Sequence, residues 1–354
     1  MSLNHTMLTF SAVCLFVFAC KTSSNDPTPS GAVKDCSSLT GLEKVVCLAE
    51  NFKATLSTSQ LAAMQLDYTK ANAVKWSNLP QALTQTKRVG ISFGELNATQ
   101  KDAAQALLKE VTGTGTNEGY SELLQIMGAD NYLNSNGGGS TYGDGNYYIA
   151  FLGTPSTTGL WELQFGGHHF ALANSYNQAK LVGATPSFRA VEPMAAFALN
   201  GAQVQPIEQE RKAFSDMLKG LSTTELTTAR LTSTFSDLLL GPGKDGQFPT
   251  AKSGIKVGDL TLDKKNLVLN AIKTYVQDLD DLNASAILSK YTSELEDTYI
   301  AYSGTTDVNT QNDYVRIDGP NVWIEYSAQG GIVIRNVSHP HSVWRDRSGD
   351  YGGN

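Results

Sequence analysis

The stretch LWELQFGGHHFALA, Leu160–Ala173, decides the fold class of this chain. It reads as a strand, joined to a second strand, NYYIAFLG at Asn146–Gly153, by the turn segment TPSTTG. Later in the chain TYIAYSG, DYVRIDGP, NVWIEYSA and GIVIRNVS read as further strands. The strands thus cluster around 145–175 and 298–337. Between and before them run helical patterns with apolar residues three and four apart. These include LEKVVCLAENFKATL, TQKDAAQALLKEV, Ile207–Leu221, Thr223–Thr232 and a long stretch from Leu262. Runs of strands separated from runs of helices predict an α+β fold. The expected architecture is an antiparallel sheet with several helices packed beside it. No internal repeat is visible, and no boundary breaks the chain after residue 40. A single globular domain over 35–354 is expected.

The same stretch holds two of only five histidines; two more stand in SHPHSVWRD, Ser338–Asp346. In a strand, neighbours point to opposite faces and residues two apart share one. His339 and His341 therefore share a face, while His168 and His169 are split. His169 goes with the small Ala171 and Ala173; His168 goes with Phe170 and Leu172, which look like core. A His-x-His pair plus a histidine from a neighbouring strand is a layout for zinc or copper, so His169, His339 and His341 are the expected metal ligands. His168 ranks below them. Pro340 cannot donate to a ladder and favours an edge or loop. Arg345 and Asp346 are the catalytic candidates: Asp346 as an acceptor that orients a histidine or as a fourth ligand, with Asp350 close behind. An Arg345–Asp346 ion pair, and histidines that are hydrogen-bonded without a metal, are the competing accounts.

The N-terminus predicts location. Met7–Ala19 is an apolar run of 13 residues, too short to span a bilayer but suited to a secretory signal over residues 1–20, which contains His5. The word VFAC at its end resembles a lipobox, with Cys20 as the lipidation site; a plain signal cleaved elsewhere is the alternative. A polar Ser/Thr/Pro tether over 21–34 follows. Cys36 and Cys47, the two thiols left in an oxidising compartment, are expected to form one disulfide. The expectation is a lipoprotein of the bacterial cell envelope, anchored to the membrane and facing the periplasm or exterior. A net charge of -7, with no run of Lys or Arg, argues against a nucleic-acid partner.

Other motifs are weak. GISFG at Gly90–Gly94 matches a nucleophile elbow without its strand–turn–helix setting. GGGSTYGDG lacks the frame of a dinucleotide site, and GPGKDG lacks phosphate-loop spacing. Asp307, Asn309 and Asp313 have no bidentate Glu at calcium-loop spacing.

At the two histidine words the chain resembles the "domain of unknown function 3500" family. LWELQFGGHHFALA is similar to its Trp…Gly-His-His-Leu-Ser/Ala-Leu-Asn motif. HPHSVWRDRSGDYG is similar to its His-x-His-Ser/Thr-x-Trp-Arg-Asp…Asn-Asp-Phe/Tyr-Gly motif. NLPQALTQTKRVGISFGELNATQ, LVGATPSFRAVEP and DYVRIDGPNVWIEY carry weaker likenesses, and together they cover roughly residues 60–354. His168, His169, His339, His341, Trp344, Arg345, Asp346 and Asp350 match; Ala173 and Gly349 stand where the family has Asn. The resemblance implies that these words belong together and brings no reaction with it. The expected function is a metal-dependent hydrolase or oxidase acting on an unidentified small molecule or peptide. The alternative is a lipoprotein that binds a metal or small ligand without chemistry.

Overall fold

The computed structural model describes residues 33–85 and 87–353. The expected signal segment with His5, the expected lipidation site Cys20 and residues 21–32 of the expected tether lie outside the described residues. Eight strands form the body of one sheet: β1 (Tyr148–Leu152), β2 (Trp161–Gly167), β3 (Phe170–Asn177), β4 (Ser187–Ala190), β5 (Tyr299–Ser303), β6 (Tyr314–Asp318), β7 (Val322–Gly330) and β8 (Ser338–Asp346). Their order is β1-β2-β3-β4-β8-β7-β6-β5, each pair antiparallel. Four short strands at Gln65–Leu66, Ile91–Ser92, Lys180–Gly183 and Ile255–Lys256 bring the sheet to 12. The fold is α+β.

Alternation along the strands divides the sheet into two faces. Phe151, Trp161, Leu163 and Phe165 point to one, under helices α1 (Gly41–Ala54), α2 (Ala98–Glu110) and α3 (Gly119–Leu133), where they meet Phe52, Leu107 and Ile126. Ile300, Val315, Ile317 and Trp344 point the same way, under α4 (Glu208–Lys219), α5 (Leu262–Val276) and α6 (Asp281–Ser293). The opposite face is covered by loops: Ala171, Phe188 and Val343 pack with Trp76, Val89 and Tyr351. His339 and His341 share this loop-covered face with Val343.

Two expectations need correction. GIVIRNVS is not a strand, because the Glu192 carboxylate accepts hydrogen bonds from the N–H groups of Ile332, Val333 and Ile334, each at 2.7 Å, and curls the segment around itself. The strand begins at Ser338 instead and runs through Pro340, in the middle of the sheet. Pro340 is tolerated because β4 pairs with β8 only from His341 to Trp344. Its missing N–H falls just past the end of that ladder, which is locally an edge.

The third difference is larger: the chain is folded as two copies of one unit. Leu56-Ser57-Thr58-Ser59-Gln60-Leu61 and Leu221-Ser222-Thr223-Thr224-Glu225-Leu226 both open short helices with a reciprocal capping box. Each helix is followed by a parallel bridge to an equivalent strand, Gln65 to Phe151 and Arg230 to Tyr302. Gly90-Ile91 pairs with β1 as Gly254-Ile255 pairs with β5, and each leads through a tight turn into α2 or α5. β1 to β4 then correspond to β5 to β8, so β4 and β8 meet at a pseudo-two-fold centre. Thr112 and Leu279, just beyond the ends of the equivalent helices α2 and α5, bridge each other there. The likeness sits in caps and turns, and the first copy alone carries the glycine-rich insertion at 134–145. That changes the interval between matching words and hides the repeat from a linear reading.

The two glycines are required for the same reason. Gly90 has φ 95° and Gly254 φ 99°, and a Cβ on either would lie 2.1 Å from the carbonyl oxygen of Ile149 or Ile300. Gly254→Ala is therefore expected to lower stability by about 2–4 kcal/mol in urea unfolding. A shift below ~0.5 kcal/mol would mean that the close approach is not made.

The disulfide joins Cys36 to Cys47, tying the segment before α1 to the middle of that helix. Cys47→Ser is expected to cost about 2–3 kcal/mol by releasing the closed loop in the unfolded chain. The check is a comparison of oxidised and reduced unfolding midpoints.

Candidate metal centre

His168 and His169 are the two central residues of the hairpin turn between β2 and β3, flanked by the pair Gly167 and Phe170. The strand alternation expected for them does not apply. His169 takes a left-handed φ of 66°, and the two rings stack with centroids 3.5 Å apart. The turn is held on several sides. The Tyr147 hydroxyl donates to the His168 carbonyl at 2.6 Å. Buried Arg88 donates to the Gly167 carbonyl at 2.8 Å and to those of Ser77 and Leu79. The His169 N–H reaches the Asn78 carbonyl at 3.3 Å, and its own carbonyl accepts from Ala190 at 2.8 Å. Such support fixes a ring that a free hairpin tip would leave mobile.

The last contact brings the turn against β8, because Ala190 faces His341 across the β4–β8 ladder. His169, His339 and His341 each offer a ring nitrogen, and these atoms lie within 4.8 Å of one another. All three residues are buried. His339 and His341 point Nε2 at Nε2, 3.2 Å apart. Two nitrogens bound at 2.0–2.1 Å to a tetrahedral ion lie ~3.3 Å apart, against ~2.9 Å for neighbours in a square plane.

Electrostatics keep two of the rings neutral. Burial, then the neighbouring histidines, hold His169 well below its ordinary range. Burial, then His341 and His168, push His339 down to about 3. His341 places Nδ1 3.0 Å from Asp237 Oδ1. Burial alone would raise that carboxyl; the His341 hydrogen bond and charge outweigh it and hold Asp237 below its ordinary value. An Nδ1–H given to Asp237 leaves the His341 Nε2 lone pair facing the other rings, the tautomer a metal ligand needs. A cleft of about 390 Å³ lined by Trp76, Asn78, Phe188, Asp237 and Lys244 abuts the group through Asp237 and Phe188. The Phe188 ring lies 5.6 Å from that of His341.

The other candidates are elsewhere. His168 is not one of the three: its Nδ1 is 2.6 Å from Asp130 Oδ1 on α3, and its ring packs against Tyr142. Arg345 shares the loop-covered face but lies four residues along β8 from His341, ion-paired to Asp245 and Asp350 at 2.7 and 2.8 Å. Asp346 is on the helix face, holding Lys290 and Tyr291 at 2.9 and 2.8 Å. Neither reaches the histidines, so the catalytic roles expected for Arg345 and Asp346 do not fit the structure. The reason is period: Asp346 differs from His339 and His341 by an odd number of residues along one strand. Asp130 and Asp237, the carboxylates that do orient histidines, were missed. Each comes from a distant segment, and no spacing in the sequence marks it.

The model of the family described as "Protein of unknown function (DUF3500)" matches residues 39–353. The chain belongs to this family. The matched span contains both histidine words and both copies of the repeat, so the DUF3500 match takes in the whole sheet. No curated protein and no solved structure matches the chain.

Proposed function

We propose that this DUF3500 chain holds one zinc or copper ion on His169, His339 and His341 and uses it for hydrolysis or oxidation of a small molecule or peptide at the bacterial cell envelope. The observation that carries the reading is the convergence of three buried imidazoles within 4.8 Å, on two separate supports. The 3.2 Å approach of His339 to His341 favours a tetrahedral ion, hence zinc before square-planar copper. Zinc with three protein ligands would supply an acidified water in its fourth position; copper on the same ligands would suit oxidation. Asp237 orients His341, and the adjoining cleft offers room for a substrate. One observation favours the alternative, a non-catalytic metal-binding protein: none of the three histidines lines that cleft.

Elemental analysis of the protein from its own envelope fraction is expected to return about one equivalent of zinc or copper. Less than ~0.2 equivalents, unchanged by reconstitution, would leave the histidines structural. For the anchor, Cys20→Ser is expected to move the protein from the membrane to the soluble fraction. Unchanged partition would point to ordinary signal cleavage. The Cys36–Cys47 disulfide supports an oxidising compartment.

A further inference from the structure

A second group of ionisable side chains lies on the helix-covered face, at the junction of the two copies. Glu118 and Glu122 come from the start of α3, Glu210 from α4, and Asp278 from the link between α5 and α6. Glu122, Glu210 and Asp278 are buried. Among the described residues one cation serves them: Arg189 of β4 pairs with Glu122 at 2.9 Å and with Asp278. Among the described residues no ion pair is formed to Glu118 or Glu210.

Glu210 is what turns this group from a charge cluster into a site. It is fully buried, neither of its carboxylate oxygens accepts a hydrogen bond, and one of them lies within 4.8 Å of oxygens of both Glu118 and Asp278. A Glu118 oxygen is likewise buried without a hydrogen-bond donor. Carboxylates desolvated in this way are ordinarily paired or bound to a metal. The donor set is all oxygen, which favours a hard cation over the ions suited to the histidines. The three oxygens lie close enough together for one calcium ion to reach them all, and magnesium, which gives up its waters reluctantly, suits a buried site of protein carboxylates less well.

We propose that Glu118, Glu210 and Asp278 form a calcium site that ties the two copies of the fold together. Glu118 comes from the first copy, and Glu210 and Asp278 from the second. Half-buried Glu118, beside the exposed stretch 114–117, gives the ion a route from solvent. Asp278 is further fixed by the Gly119 N–H, which donates to it at 2.6 Å.

The test uses the full mature chain, stripped with EDTA and titrated with calcium chloride by calorimetry. One equivalent is expected to bind, and a hundredfold excess over Kd is expected to raise Tm by roughly 5 °C. His339→Ala should retain this response, which separates the site from the histidine centre. Glu210→Gln, the same shape with one charge fewer, should lose it. No calcium binding by the wild-type chain overturns the proposal. So does a Tm rise that Glu210→Gln shares in full. Binding of manganese alone would overturn the assignment to calcium.

Discussion

His339→Ala is expected to take the metal content of the purified protein from about one equivalent to below ~0.2, while far-UV CD and the urea midpoint change little. The ring supplies one of three nitrogens, and two remaining imidazoles hold an ion far less well than three. The fold has little reason to fail, because among the described residues His339 makes no ion pair and its Nδ1 has no hydrogen-bond partner to lose. Asp237→Asn is expected to weaken metal affinity by roughly 10–100-fold without abolishing it, since it removes the acceptor that orients His341. His168→Ala is the control. It sits in the same turn and touches His169, but its nitrogen is committed to Asp130, so metal content should stay near one equivalent. If His168→Ala and His339→Ala lose metal equally, turn stability rather than ligation controls binding and the three-histidine centre is wrong. Metal analysis and competition with a chelator distinguish these outcomes in one set of preparations.

How much of this was legible in the sequence varied with the range of the interaction. The strands of the first half were readable because Trp161, Leu163 and Phe165 face a helix layer while Glu162 and Gln164 face away, and a period of two is a local signal. The Asn97 side chain that caps α2 is likewise a local feature. His339 and His341 share a face by that period alone. The turn at His168–His169 was not readable, because Gly-Gly-His-His carries no turn residue at the position with positive φ; histidine there is held by Arg88, Tyr147 and Ala190, all from other segments. GIVIRNVS has strand composition, and only the distant Glu192 carboxylate diverts it. The repeat is hidden in the sequence because what the copies share is caps and close approaches, such as Gly90 and Gly254. Core residues were free to change as long as volume and face were kept. Asp237, Asp130 and Glu210 act through space alone.

The largest loss of stability is expected from Arg189→Met. Arg189 is buried on β4, pairs with Glu122 and Asp278 as the one cation among the described residues to enter the carboxylate group, and donates to the Ser187 hydroxyl at 2.6 Å. Burial and the Asp278 charge already push the Glu122 carboxyl up to about 8, with Arg189 pulling it down. Methionine fills similar space but leaves these carboxylates without their partner, and breaking a buried pair from one side typically costs about 3–5 kcal/mol. A loss of that size is a large share of a total stability of about 5–15 kcal/mol. Arg189→Lys keeps the charge but loses the fork that spans Glu122 and Asp278, so it should fall between wild type and methionine. The decisive comparison is the double variant Arg189→Met with Glu122→Gln. Removing a carboxylate as well as the cation should restore at least ~1 kcal/mol relative to Arg189→Met alone, a coupling that a purely steric role for Arg189 would not produce. Urea midpoints at fixed m-value give all four numbers. If Arg189→Met costs less than ~1 kcal/mol, the carboxylates are neutral in the folded protein, and neither this cation nor a calcium ion is needed to hold the two copies together.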